Sequence, residues 1–273
     1  MGRCGEEKKI MAFYYPFGEQ LRPLTQQDRT KKPVFVLGVY ASAVHARWKK
    51  DGKIVCRALA VASEPRIFWD GDQAEAERII SRISIPPELG KLEPADRNLN
   101  GPSAKVLDEQ ILAPLGFTRN DAWLCDCLPE TRLNPGQRNA IQRCYEPQRA
   151  RYGLNPVTVP AVPKIFCDAE RAEEITNELM ESGAGLLVLL GDIPIRQYLK
   201  RMADVSFSSL KEYCDLYGYG TRTEVEISGM DGKAVKLEVL PLTHPHQIEG
   251  MGGHSKKWKQ IHLEWEKTCE HPE

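Results

Sequence analysis

Pro33-Val34-Phe35-Val36-Leu37-Gly38-Val39-Tyr40-Ala41-Ser42-Ala43-Val44-His45-Ala46-Arg47-Trp48 is the stretch from which the fold is read. Val34 to Leu37 is a continuous apolar run of the kind found in strands buried on both faces. It stops at Gly38 and opens into the small residues Ala41, Ser42 and Ala43, ahead of His45, Arg47 and Trp48. Open α/β sheets bind their ligands outside the carboxyl ends of the strands. A Gly followed by small side chains lets a ligand approach the backbone there.

Outward from this stretch, a turn at Asp51-Gly52 leads to a second strand from Ile54 to Ala62, with hairpin-like spacing to the first. On the other side, residues 1–32 are polar, broken by Pro16 and Pro23, and carry Phe13, Tyr14, Tyr15 and Phe17. They read as a lead-in segment that lays its aromatics on a single domain filling 33–273. Further along, the pattern predicts helices around 73–82, from Gly101-Pro102-Ser103, over 137–151, over 169–182, from Pro194 and over 255–267. A long polar loop runs up to Asn100, and a loop of that length in a compact domain tends to be functional. Strands are expected at Asp121 to Cys127, at Gly185 to Gly191, and as a pair at 222–227 and 235–240 around Gly229 to Gly232. Alternating strands and helices predict a three-layer α/β/α sandwich with a central, mainly parallel sheet.

The 273 residues carry 37 basic and 38 acidic side chains, a formal charge of −1. Such a chain has no global field for a polyanion, so nucleic-acid binding has to come from a local patch. The basic face of 137–151 (Arg138, Arg143, Arg149, Arg151) is read as solvated. No stretch approaches a membrane span or a signal-peptide core, and the expected compartment is the cytoplasm. Eight scattered cysteines do not form a disulfide framework. Cys125 and Cys127 share one strand face and read as small core residues rather than metal or redox ligands.

Three strand ends gather at one sheet edge in this topology: Gly38 to His45, Cys125 to Arg132 and Thr243 to His246. This set, in this order, resembles the uracil-DNA glycosylase superfamily. Gly38-Val39-Tyr40-Ala41-Ser42 falls at the first motif of those enzymes, and Leu242-Thr243-His244-Pro245-His246 is similar to the second, His-Pro-Ser. Leu99-Asn100-Gly101-Pro102-Ser103-Ala104 resembles the segment between the base-stacking aromatic and a helix. Trp123-Leu124-Cys125-Asp126 resembles the strand that ends in the base-reading Asn.

The resemblance, over roughly 33–265, implies a DNA-binding protein that flips a nucleotide and hydrolyses its glycosidic bond. It implies His244 as hydrogen-bond donor to a base oxygen, and Gly38, Val39, Ala41, Ser42, Leu99 and His246 as pocket wall. It also implies a wedge loop through Ile248 and Met251, and a phosphate grip at Ser255, Lys256 and Lys257. His45 and Arg47, with Lys49 and Lys50, read either as phosphate contacts or as a solvated edge.

The departures redirect the chemistry. Tyr40 stands at the water-activating position, and a neutral Tyr is a poor general base near neutral pH. Asp126 replaces the Asn, so it favours a base edge bearing amino or imino donors, and it is the one carboxylate the sequence places at the crevice. Leu99 replaces the stacking aromatic. Phe68 and Trp69 read as core, with stacking in place of Leu99 as the alternative. The N-terminal cysteine pair of iron-sulfur members is missing, so neither cluster nor metal is expected. The competing reading is a non-catalytic α/β protein holding a small nucleotide or a protein partner in the same crevice.

Overall fold

The structure is a computed structural model and describes residues 12–251 and 254–270. From Val34 the chain forms β1 (Val34–Tyr40), turns at Ala41-Ser42 and enters β2 (Ala43–Lys50), which returns as β3 (Lys53–Ser63). Asp51 and Gly52 both have positive φ, +49° and +73°, the conformation a tight hairpin between twisted strands requires. The first strand thus runs past Gly38, where the sequence predicts its end, to Tyr40, and the residues after Ser42 form a second strand. The Ile54 strand pairs antiparallel with β2, not with the Val34 strand. The alternation of buried Val44, Ala46 and Trp48 with Arg47 and Lys49 is a strand signal that the basic run concealed.

Helix α1 (Gln73–Ile80) follows, capped by the Asp72 carboxylate, and then β4 (Lys91–Pro94), α2 (Pro102–Val106) and β5 (Ala122–Leu128). The polar stretch before Asn100 thus contains a strand, which pairs with β2. Helix α2 continues through a π-helical stretch (Leu107–Leu112). A second π stretch (Ile141–Tyr145) joins α3 (Pro135–Ala140) to α4 (Glu146–Tyr152). Then come α5 (Ala169–Ser182), β6 (Leu186–Leu190), α6 (Lys200–Met202), α7 (Leu210–Tyr217), β7 (Thr223–Ser228), β8 (Ala234–Leu242), α8 (Pro245–Ile248) and α9 (Ser255–Glu270). The limits of α5 follow from its caps: Asp168 accepts from the Arg171 N–H at 2.9 Å, and Gly183 closes the helix with φ +65°.

The central sheet is mixed and mostly parallel. Its order is β5-β1-β6-β8-β7, with β7 alone antiparallel. Successive residues of β1 point to opposite faces. Phe35 and Leu37 pack with Trp123, Ile175, Leu179 and Tyr198, while Val34 and Val36 pack with Leu107, Ile111, Val188 and Trp265. Each such side chain contributes about 1.5–3 kcal/mol on burial. The small sheet, β3-β2-β4, builds a third core around Trp48, Trp69, Ile141 and Tyr145. Phe17 of the lead-in meets Trp48 and Tyr145 edge-on, with ring centroids 5.4 and 5.1 Å away. Among the described residues, no helix is long and apolar enough to cross a membrane.

Candidate functional site

From β1 the second parallel strand of the chain, β5, lies to one side and the third, β6, to the other. The connections therefore diverge at the carboxyl end of β1, the position where open sheets leave a crevice. A cavity with about 550 Å³ of empty space opens there. Its walls are Val39 to Ser42, Glu64, Phe68, Trp69, Leu99, Gly101 to Ala104, Asp126 and His244.

Asp126 ends on this cavity because β5 runs in register with β1, pairing Asp126 with Gly38. A Cβ on Gly38 would lie 2.3 Å from Asp126 Oδ1 and 2.9 Å from Phe68 Cζ, so only Gly lets carboxylate and ring settle over the strand. Arg171 donates at 2.8 Å to the Asp126 carbonyl oxygen and fixes the strand end. The carboxylate is 4% exposed, and burial pushes it up to about 7 against the pull of Arg171.

Glu64 lies one residue beyond β3 and is 6% exposed. Burial first, then repulsion from Asp126, raises it to about 8, although the Ser42 N–H donates to it. Two buried carboxyl groups on one cavity are thus both held well above the usual carboxylate range, chiefly by burial.

His244 follows β8 and precedes the Pro that opens α8. Its Nδ1 accepts from the His246 N–H at 3.2 Å. Burial, with the nearby His246, lowers its pKa to about 4, so the ring is neutral at pH 7 and Nε2 carries the proton. Behind it, the Thr243 N–H donates at 3.0 Å to Tyr219 Oη, which donates to His262 Nδ1. His262 Nε2 in turn donates at 2.9 Å to the Gln110 carbonyl oxygen. The chain of bonds ties the β8 end to α9 and to the π stretch after α2.

Two loops cross to close the opposite wall. Gly71 and Gly101 have φ +72° and +75°. A Cβ on Gly71 would lie 2.2 Å from the Asn100 oxygen, and one on Gly101 would lie 2.3 Å from the Asp70 carbonyl carbon. Next to the crossing, the Asn100 carboxamide accepts the His45 N–H at 2.8 Å and donates to the His45 oxygen at 3.1 Å, completing the edge of β2. Phe68, itself at φ +48°, and Leu99, on either side of the crossing in the chain, both line the cavity.

The expected wall residues Val39, Tyr40, Ala41, Ser42 and Leu99 line this one cavity with Asp126 and His244, and Gly38 lies beneath them. The Tyr40 ring stacks on Phe166 at 5.7 Å, and burial raises its phenol further above neutrality. His45 is neither a phosphate contact nor a solvated edge: it is buried, and its Nε2 lies 3.0 Å from Gln137 Nε2. Arg47 is held by Glu93 and Asp96, which removes it as a free phosphate ligand. His246, expected in the pocket wall, is exposed and is not among the residues lining the cavity.

Ile248 is buried and cannot wedge into a duplex, whereas Met251 is exposed. Ser255 is also buried, its hydroxyl donating to the Gly250 oxygen at 3.1 Å; Lys256 and Lys257 are exposed on the first turn of α9. Residues 252–253 of the expected flexible grip lie outside the described residues.

Sequence reasoning missed Glu64. Its signal was an acidic residue closing the apolar run 59–62, directly before Pro65. Phe68 was visible as an alternative to Leu99, and both line the cavity. No protein-family model matches the chain, and no curated protein matches it in sequence.

Proposed function

We propose that this cavity takes a nucleobase and that the protein is a divergent uracil-DNA glycosylase-like enzyme, a three-layer α/β/α sandwich acting on DNA carrying a damaged base. The observation that supports this best is the meeting of Asp126, His244 and a second buried carboxyl, Glu64, at the strand crevice. In this reading Phe68 and Leu99 sandwich the base. Asp126 accepts from amino or imino donors on its edge, and the neutral His244 donates from Nε2 to a base oxygen. Glu64 takes the role that Tyr40 cannot: as a carboxylate it accepts a proton from water as the oxygen bonds to C1′ and the C1′–N bond breaks. The base leaves as an anion with the bonding electron pair and gains a proton while Glu64 releases the one it took from water, so that water is consumed and the products are free base and an abasic site.

The test is a base-release assay on single-stranded and duplex DNA carrying uracil, hypoxanthine, xanthine or an alkylated base. Release is expected with at least one of them, reduced about 10²-fold or more by Glu64→Gln, in line with the usual contribution of general-base catalysis. Because Glu64 acts as the anion and burial raises its pKa to about 8, the rate is expected to rise with pH up to that region. No abasic product with any base, together with mononucleotide binding that is indifferent to salt, would favour a non-catalytic nucleotide-binding protein.

A further inference from the structure

We infer that the face formed by β3 and the α3–α4 helix is the track for the phosphate backbone of a nucleic-acid strand; this rests on the nucleobase reading above. Four cations on these two elements, Lys53, Arg57, Arg143 and Arg151, are exposed, and none has an ion-pair partner among the described residues; Arg138 borders a separate pocket with Ile141 and Glu146. The helix carries one acidic residue, Glu146, and that is held by Arg149. On a chain of net charge −1 this is a local positive field, the footprint a polyanion needs when the molecule as a whole has none.

A second observation gives the face a direction. Between helix and strand runs a groove with about 1040 Å³ of empty space, bordered by Arg57 and Arg143 with the carboxamides of Asn134 and Asn139. Leu99 lines both this groove and the base cavity. A strand with one base in the cavity would therefore carry its neighbouring nucleotides over Leu99 into the groove. There the guanidinium forks match phosphate oxygens and the amides reach sugars and base edges. The face is also rigid: the Cys144 thiol donates to the Val55 oxygen at 3.3 Å, joining helix to strand. This track replaces Arg47, whose charge is spent on Glu93 and Asp96.

The experiment measures affinity for a fluorescein-labelled 20-nucleotide DNA, single-stranded and duplex, by anisotropy between about 50 and 200 mM NaCl, the range over which phosphate contacts register. Arg57→Gln/Arg143→Gln is compared with wild type and with Lys233→Gln/Lys236→Gln. The control pair carries the same charge loss on the hairpin at the opposite, amino end of β8. All four positions are exposed, where substitution changes stability by about 0.5 kcal/mol or less.

The groove variant is expected to bind at least about tenfold more weakly at low salt. Its slope of log K against log salt should fall by roughly 1.4 on single strands or 1.8 on duplex, about 0.7 or 0.9 per lost contact. The control should keep the wild-type slope. An unchanged slope in the groove variant, an equal loss in the control, or no binding of either DNA form overturns the track. Glu64→Gln separates the two claims. A normal salt slope with no base release by any form of the protein keeps the track and removes the enzymatic reading; base release with an unaltered groove-variant slope does the reverse.

Discussion

Glu64 and Asp126 determine how the site behaves with pH. Both carboxyl groups have folded-state pKa values raised above those of the unfolded chain, to about 8 and about 7. Between pH 4 and 8 the folded protein therefore binds more protons than the unfolded one, and these groups lower stability as pH rises through that window. A tenfold difference in proton affinity between the folded and unfolded chain corresponds to about 1.4 kcal/mol. Glu64→Gln and Asp126→Asn are thus expected to melt higher than wild type at pH 9, by a few kcal/mol in stability, and to match it near pH 4; thermal melts across that range check this. Equal gains at both ends would mean that the two carboxyl groups are not desolvated in the folded protein. Gly38→Ala tests the close approach from the other side. Its methyl group would displace the Asp126 carboxylate and the Phe68 ring, so loss of base or nucleotide binding should exceed any fall in melting temperature.

At the scale of elements, the site depends on loops that cross and on one hydrogen-bonded relay. Gly101→Ala puts a side chain at positive φ against the Asp70 backbone, and it is expected to destabilise by more than about 1 kcal/mol. A melting temperature unchanged from wild type would show that the two loops part easily. Tyr219→Phe leaves the Thr243 N–H and His262 Nδ1 without their partner, at about 1–3 kcal/mol for each buried group left unsatisfied.

These features bear on what could be read in advance. The buried strands at 34–37, 122–127 and 186–190 and helix α5 were legible because apolar runs and caps are local signals. Strand β2 was not. It is decided by where β2 finds partners, β3 on one side and β4 on the other, and β4 lies within a stretch that reads as polar loop. For the same reason Glu64 escaped notice: it reaches the crevice only because the inserted β2–β3 hairpin brings the end of β3 back to Ser42.

For the whole molecule, acid is the weak direction on the histidine side. His262 and His244 are both lowered to about 4 by burial. The unfolded chain binds more protons than the folded one from pH 6.5 down to 4, so their contribution is complete above 6.5 and is lost as pH falls through that interval. His262→Gln is expected to be less stable at pH 7 but to lose less on acidification, as chemical denaturation at pH 7 and pH 4.5 would register. The wider arrangement has the same logic: two cores on the faces of the central sheet fix the strand ends, and the third core, under the small sheet, carries the remaining wall of the cavity. The most direct measurement of the central claim is single-turnover base release from modified DNA by wild type, Glu64→Gln and His244→Ala. The nucleobase account predicts release by wild type that rises toward pH 8 and falls about 10²-fold in either variant. Release that is equal in all three proteins, or absent from all three with every base, would contradict it.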